Sequence, residues 1–257
     1  MKQIKDFTIK EIRHLYFDDF EMLVTLDEKL ENIRPGQFVN ILVPDTQKTF
    51  LRRPISICDV NDKENELRFY IRIVGNGTQT LSALQRGDKL SILYPLGNAF
   101  TVENVKNPLL VGGGCGVAPL LYLAKTFAKN NIRPTVLMGG QTANAIGWTA
   151  DFDTVATVHR ITDDGSVGEQ GLITQHSIWQ NISKFDRIYA CGPEAMMKAV
   201  AKMAVRANIP CEVSLENTMA CGIGACLCCV TETIHGNQCV CVDGPIFDVH
   251  KLKNFIE

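Results

Sequence analysis

Several features that would assign this chain to a common class of protein are missing from its sequence. The first residues, Met1 to Asp6, contain no apolar stretch of the kind that begins a secretory signal, and no run of about 18 apolar residues predicts a membrane-spanning helix. The formal net charge is −2, so no basic excess favours binding to nucleic acid. Neither an internal repeat nor a low-complexity tract is present. We therefore expect a globular cytoplasmic protein that binds neither nucleic acid nor membranes.

No pattern of residues predicts acid–base catalysis. The five histidines are scattered along the chain and are expected to be surface or packing residues rather than bases. They are His14, His159, His176, His235 and His250. Asp163-Asp164-Gly165 is expected to form a loop. No catalytic residue is predicted, and no substrate pocket of the chain's own is expected.

Ten cysteines are the most informative feature that is present. Cys221, Cys226 and Cys229 have the spacing C-x4-C-x2-C, which with a later fourth thiolate matches the ligands of a plant-type 2Fe–2S cluster. A zinc site is the alternative, although structural zinc sites usually have two C-x2-C pairs and only one is found here. Disulfides are disfavoured in a reducing compartment. Spacing leaves both Cys239 and Cys241 open as the fourth ligand, because alternate residues of a strand share one face.

The first 100 residues predict β structure. Short segments rich in β-branched and aromatic residues alternate with turn signals, a pattern typical of a small antiparallel barrel. The predicted strands are 7–12, 20–26, 38–43, 55–60, 67–74 and 89–94, and one helix is predicted over 78–85.

Beyond residue 100, strands alternate with helices, which indicates a parallel α/β sheet. The predicted strands are 108–111, 135–138, 153–160 and 187–191, and the predicted helices are 117–130 and 194–207. With 257 residues, of which 46% are hydrophobic, the chain is long enough for more than one domain. We expect a β-barrel domain over 1–100, an α/β domain over 101–212 and a cysteine-rich segment over 213–257.

Two glycine-containing turns follow strands of the α/β region. The first is Gly112-Gly113-Gly114-Cys115-Gly116 and the second is Cys191-Gly192-Pro193. Such turns at the carboxyl ends of parallel strands can bring backbone N–H groups to a dinucleotide phosphate. A plain strand–helix turn is the alternative, since the first turn is not a strict G-x-G-x-x-G. Because both turns are expected at one edge of the sheet, they predict a shared pocket.

In the barrel region, Arg52-Arg53-Pro54-Ile55-Ser56 places two arginines on a strand. They are expected either to face solvent or to meet an anion such as a pyrophosphate. Downstream, Tyr70-Ile71-Arg72 offers an aromatic residue with an arginine, and Gly77-Thr78 lies in a glycine turn at a predicted helix N-terminus.

Together these motifs resemble the ferredoxin–NADP reductase superfamily. With the cysteine segment and Asp243-Gly244-Pro245-Ile246-Phe247, the whole chain resembles the electron-transfer subunits of NAD-dependent (type B) dihydroorotate dehydrogenases. One departure is Ile55, where the superfamily often has tyrosine, so flavin stacking there must differ or come from Tyr70.

The resemblance implies three cofactors and their residues. FAD would lie on Arg53, Pro54, Ile55, Ser56, Tyr70, Ile71, Arg72, Gly77 and Thr78. The nicotinamide cofactor would lie on Gly112, Gly113, Gly114, Cys191 and Gly192. The cluster ligands would be Cys221, Cys226, Cys229 and Cys241. No arginine occurs in 139–144, where a 2′-phosphate could be read, and this favours NAD over NADP.

The resemblance also implies a function in pyrimidine biosynthesis. Electrons from dihydroorotate, oxidised at FMN in a partner catalytic subunit, would pass through the 2Fe–2S cluster and FAD to NAD+ in a heterotetramer. A flavin belongs between the other two carriers because it exchanges electrons both singly and in pairs. The alternatives are a flavin and iron–sulfur subunit of another complex, such as a sulfide dehydrogenase, hydrogenase or transhydrogenase-type reductase, and a metal–thiolate module without electron transfer.

Overall fold

The computed structural model describes residues 2–15, 18–44, 49–146 and 150–256. Within these ranges the chain forms two seven-stranded sheets and one separate hairpin. The first sheet lies in the N-terminal part of the chain and the second in the remainder. Among the described helices, none combines the length and hydropathy needed to span a bilayer.

The first sheet is antiparallel and curls into a half-open barrel. Its strand order is β4-β3-β7-β1-β2-β6-β5, and β4 comes close to β6 across the opening. Alternate residues of these strands enclose an apolar core that includes Phe7, Phe20 and Phe69. The elements are β1 (Gln3–His14), β2 (Asp19–Thr25), β3 (Phe38–Ile41), β4 (Arg53–Ser56), β5 (Asp59–Asn61), β6 (Glu66–Arg72), α1 (Asn76–Ser82) and β7 (Lys89–Leu96).

The predicted strand 55–60 is wrong, because this stretch forms two strands at opposite edges of the sheet. The backbone N–H of Ile57 donates to the carbonyl of Gln37 beside β3, whereas that of Cys58 donates to Arg68 in β6. Both residues are buried. The chain therefore crosses the barrel at this point and changes its hydrogen-bonding partner, which a local β-propensity pattern does not reveal.

The second sheet has the order β11-β10-β9-β8-β12-β13-β16, with parallel pairing except for β16, which is antiparallel to β13. Helices connect most of its parallel strands, as in other α/β proteins. The elements are β8 (Pro108–Gly113), α2 (Ala118–Lys129), β9 (Thr135–Gly140), α3 (Ala150–Val155), β10 (Thr157–Thr162), β11 (Glu169–Gln170), β12 (Arg187–Cys191), α4 (Glu194–Arg206), β13 (Cys211–Ser214), the hairpin β14 (Val230–Thr233) and β15 (Gly236–Cys239), and β16 (Ile246–Asp248).

The predicted strand 153–160 is also wrong in its first half. Residues up to Val155 belong to α3, and β10 begins only at Thr157. Phe152, Val155 and Ala156 contact one apolar cluster. Their spacing suits a short helix lying on the sheet, whereas alternation of apolar and polar residues would be expected of an exposed strand.

The cysteine-rich segment lies at the junction of the two sheets. It leaves the end of β13 and returns through β16 to the edge of the same sheet. On its other side, Asn98 holds it to the barrel, because the side-chain amide donates to the carbonyls of Asp243 and Ile246, both at 2.8 Å, and accepts the N–H of Ile246 at 2.9 Å. The segment is thus anchored to both sheets.

Candidate functional site

The predicted flavin strand β6 and the first glycine-containing turn face each other between the two sheets. A Cβ atom added at Gly114 would lie 3.8 Å from Nη1 of Arg72. The neighbouring Cys115 thiol has a raised pKa because it is buried, and the positive charge of Arg72 opposes that shift. The structure therefore brings these two predicted regions to one cleft.

The two adjacent arginines of the barrel have different environments. Arg52 donates to backbone carbonyls at the sheet edge, at 2.7 Å to Ser91 and 3.3 Å to Asn40. The guanidinium of Arg53 has no hydrogen-bond or ion-pair partner among the described residues. Its aliphatic stem lies on Gly77, where an added Cβ would be 3.0 Å from Cδ of Arg53. Arg53 is therefore the arginine available to an anion. A glycine at position 77 leaves room for its aliphatic stem.

Thr78 has a structural task at the start of α1. Its hydroxyl accepts the backbone N–H of Val74 at 2.9 Å and of Gly75 at 3.3 Å, and donates to the Gly75 carbonyl. These bonds satisfy groups that the first helical turn leaves open. Thr78 therefore shapes the turn that borders the cleft.

Asp19 organises the two side chains of β6 that point into the cleft, and the sequence patterns did not identify it. Its carboxylate accepts the Tyr70 hydroxyl at 2.5 Å and two bonds from Arg72, from Nε at 2.8 Å and Nη2 at 2.9 Å. Burial and this hydrogen bond raise the pKa of Tyr70, so the phenol stays protonated. The intervening Ile71 is only 2% exposed and points into the barrel, so it offers a ligand its backbone alone.

The glycines of the two turns allow close backbone contact between β8 and β12. A Cβ at Gly116 would lie 2.5 Å from the carbonyl oxygen of Cys191, and one at Gly113 would lie 2.8 Å from Cδ of Pro193. Gly112 is similarly closed off by Val117. Gly114 instead faces the cleft, with a φ of 54°. The two predicted turns thus lie side by side, and part of their glycine content is explained by packing.

The end of β13 adds two further residues, Ser214 and Glu216, that the sequence patterns did not identify. Burial raises the pKa of the Cys191 thiol to about 12, and a hydrogen bond with Ser214 opposes this shift. The negative charge of Glu216 raises the pKa of both Cys191 and Cys115. Both thiols are therefore neutral near pH 7, and Glu216 lies at the same cleft.

The loop that carries the first two predicted cluster ligands, Cys221 and Cys226, directs backbone N–H groups at sulfur. The Cys221 sulfur accepts from Ile223 at 3.5 Å and from Cys226 at 3.4 Å. Desolvation acts to raise the Cys221 pKa, but these donors lower it to about 6. The loop therefore stabilises a thiolate, the form in which cysteine ligates a metal.

Cys229 and Cys241 lie together in the interior, at 2% and 0% exposure. The N–H of Cys241 donates to the Cys229 sulfur at 3.4 Å. Burial, followed by its hydrogen bond with Cys229, raises the pKa of Cys241 to about 12, and an N–H of Gly224 opposes this shift. The Cys241 sulfur therefore reaches both Cys229 and the loop of Cys221.

The expectation that Cys239 and Cys241 share one strand face is wrong. The strand β15 ends at Cys239, whose carbonyl accepts the N–H groups of Val242 at 2.9 Å and Asp243 at 2.8 Å in a tight turn. Cys241 lies within this turn and is more buried than Cys239, and Cys228 is exposed. The two candidates therefore differ in environment.

The donor set fits a 2Fe–2S cluster. Within the part of the chain that the structure describes, no three Cys, His, Asp or Glu side chains converge on a single metal position. The thiols instead form two hydrogen-bonded groups, Cys221 with Cys226 and Cys229 with both Cys239 and Cys241. A two-iron cluster takes two protein ligands at each iron, so paired thiolates with N–H donors suit it.

Comparison with protein families assigns a domain to each of these regions. Residues 7–100 match an oxidoreductase FAD-binding domain, and residues 110–202 match an oxidoreductase NAD-binding domain. Residues 216–253 match the iron-sulfur cluster binding domain of dihydroorotate dehydrogenase B. The prediction of FAD, NAD and an iron–sulfur cluster is confirmed, and the zinc alternative is set aside.

Individual relatives extend over nearly the whole chain. The electron transfer subunit of dihydroorotate dehydrogenase B (NAD(+)) from Fusobacterium nucleatum subsp. nucleatum is 36% identical, covering 95% of this chain and 96% of the relative. The same subunit from Bacillus caldolyticus is 39% identical over 87% and 89%, respectively. A solved structure of an NADH-dependent reduced ferredoxin-NADP oxidoreductase superposes with a TM-score of 0.84 at 30% identity, covering 94% of this chain and 87% of the other. The chain therefore belongs to the family of electron transfer subunits of dihydroorotate dehydrogenase B (NAD(+)).

Proposed function

We propose that this chain carries electrons to NAD+ from an FMN-containing catalytic subunit that oxidises dihydroorotate, in a cytoplasmic heterotetramer. The observation that carries the proposal is the order of sites in one chain: the cluster loop lies against the barrel, and the barrel in turn faces the glycine-containing turns. When bound, the cluster supplies single-electron transfer, FAD couples one- and two-electron steps, and NAD accepts a hydride.

The barrel residues would bind and orient FAD. We propose that Arg53 pairs with the pyrophosphate, because its guanidinium has no partner among the described residues and its stem is held on Gly77. Tyr70 and Arg72, fixed by Asp19, would line the flavin side of the cleft. Ile71 and Thr78 would support the backbone there. The other residues proposed to contact FAD are Pro54, Ile55 and Ser56.

The glycine-containing turns would hold NAD at the carboxyl ends of β8 and β12. Gly114 is the glycine open to the cleft, Gly113 and Gly192 would let the turn backbones approach each other closely, and Gly112 leaves room for Val117. Cys191 would border the nicotinamide pocket as a neutral thiol, since burial raises its pKa. The proposed cluster ligands are Cys221, Cys226, Cys229 and Cys241.

The proposal is tested by purifying the chain with its native partner. We expect an FMN-containing partner, FAD on this chain, and iron and acid-labile sulfide at about two of each per chain. Addition of dihydroorotate should reduce NAD+ only when both subunits are present. A larger partner with several clusters would contradict the assignment and favour the second candidate below.

A second candidate is a subunit of another NAD(P)-linked complex. It is favoured by the 30% identity to a chain from the NADH-dependent reduced ferredoxin-NADP oxidoreductase structure. The two candidates share cofactors and differ in partner. Dihydroorotate-dependent bleaching of the cluster in the purified complex distinguishes them.

We expect Asp19→Asn to weaken FAD binding by about tenfold or more, since hydrogen bonds to a charged group contribute about 1.5–3 kcal/mol. The change removes the negative charge that holds Arg72 and replaces one of the two oxygens that accept from Tyr70 and Arg72 with an NH2 donor. Fluorescence titration of the apoprotein with FAD measures the effect.

Asp59→Asn is the matched control. This carboxylate pairs with Arg68 at 3.0 Å and with Lys125 at 2.5 Å, away from the cleft. Its loss should lower the melting temperature but leave FAD affinity unchanged. Equal FAD affinity in the Asp19 and Asp59 variants would contradict the role given to Asp19.

A further inference from the structure

One buried amide is incompletely satisfied. Asn40 lies in β3 and is 0% exposed. Its Oδ1 has no hydrogen-bond partner, which within the described residues is true of no other buried side-chain nitrogen or oxygen. Buried polar atoms without partners are rare in folded proteins and need a reason.

Asn40 lies between the strand proposed to hold the flavin and the cluster loop. It pairs with Pro54 across β3 and β4, and its backbone carbonyl accepts from Arg52 at 3.3 Å. Its side-chain Nδ2 donates to the carbonyl of Ala220 at 3.5 Å. The same nitrogen lies 2.7 Å from the position of a Cβ at Gly222.

These contacts surround one cluster cysteine. Ala220 and Gly222 are the two residues on either side of Cys221. One amide therefore contacts the backbone before and after this cysteine. The amide belongs to β3, and the neighbouring strand β4 lies only about 4.8 Å away. The flanking residues of β3, Val39 and Ile41, point into the apolar core. A leucine of similar size would fill the space of Asn40, so packing alone does not explain an amide here.

We propose that Asn40 is the positioning residue that holds the backbone around Cys221 against the flavin strand, and thereby sets the separation between the two electron carriers. The inference rests on the proposed function, since it assumes that FAD lies on β4 and the cluster on Cys221. FAD held on β4 would accept a hydride, two electrons and a proton, from NADH, and a cluster held by Cys221 would accept electrons from it one at a time.

The test uses the full-length Asn40→Leu variant, loaded with FAD and cluster, and stopped-flow mixing with NADH. We expect the rate of flavin reduction to be unchanged and the rate of cluster bleaching to fall by about tenfold or more, because small displacements of reacting groups have large effects on rate. The second readout needs no cofactor: in the cluster-free protein, amide hydrogen exchange over 219–226 should become faster while the barrel strands stay protected.

Gln37→Leu is the matched control. Gln37 is also a buried amide of the barrel, but it donates to the Gly97 carbonyl at 3.0 Å and accepts from the Arg34 N–H at 2.8 Å. Its replacement should lower the melting temperature while both rates and the exchange over 219–226 stay unchanged. If Asn40→Leu does not fold, Asn40→Asp keeps the shape and Oδ1, loses the donor to Ala220, and should give the same two changes.

The outcomes distinguish failure of the role inferred for Asn40 from failure of the proposed function. If wild-type protein binds FAD and cluster but Asn40→Leu and Asn40→Asp leave cluster bleaching and exchange unchanged, the positioning role is wrong. If flavin reduction and cluster bleaching are slowed equally in Asn40→Leu and Gln37→Leu, Asn40 contributes only to stability, and the inference is wrong as well. If the wild-type protein lacks FAD or the cluster, the proposed function itself fails.

Discussion

Cys241→Ser is expected to yield protein without the visible absorption and the EPR signal of a 2Fe–2S cluster, whereas Cys239→Ser is expected to keep both. Cys241 is buried, lies against Cys229 and is approached by an N–H of the loop that holds Cys221. Cys239 ends a strand, and its own N–H is engaged by the Asp243 carboxylate at 2.8 Å. Both thiols hydrogen-bond with Cys229, but Cys241 is the more buried of the two and alone receives an N–H of the loop that holds Cys221.

The measurement is iron and sulfide content with a spectrum of anaerobically purified protein. Both variants should keep FAD, because the barrel does not depend on either thiol. The matched replacement of exposed Cys228 by serine should behave as wild type. Cluster loss in Cys239→Ser with retention in Cys241→Ser would reassign the fourth ligand.

We expect Gly116→Ala to have the second large effect, on the NAD region. The added Cβ would lie 2.5 Å from the carbonyl oxygen of Cys191 and 2.6 Å from Cα of Gly192. These are backbone atoms, so relief requires moving the two turns apart, and overpacking of this kind costs about 1–3 kcal/mol. The melting temperature should fall and NADH should bind at least about tenfold more weakly, since a loss of 1.4 kcal/mol corresponds to a factor of ten.

Titration of NADH against flavin reduction checks this expectation, with FAD content as the internal reference. Gly75→Ala is the control for stability, because its Cβ would meet no heavy atom within 4 Å and its φ of 177° is extended. It should melt close to wild type. Unchanged NADH affinity in Gly116→Ala would show that the contact between the two turns is not needed for binding.

Much of the fold follows from local patterns. The helix predicted over 194–207 is observed as α4, Glu194–Arg206, and the strand predicted over 187–191 is observed as β12. The two wrong strands share a cause. At Ile57 and Cys58 the chain changes its pairing partner, and before Thr157 apolar residues pack as a helix. Both outcomes depend on distant parts of the chain rather than on local propensity.

The sequence by itself determined which groups this protein is built to bind, because cysteine spacing and strand–glycine–helix order are short-range patterns with direct chemical meaning. Tertiary structure alone decided how those groups are held. Asp19 joins Tyr70 across 51 positions of the chain, and Asn40 joins Ala220 across 180. Cys241 and Cys239 became distinguishable only through the turn that buries one of them. Such contacts arise when distant segments pack together, and no local pattern contains them.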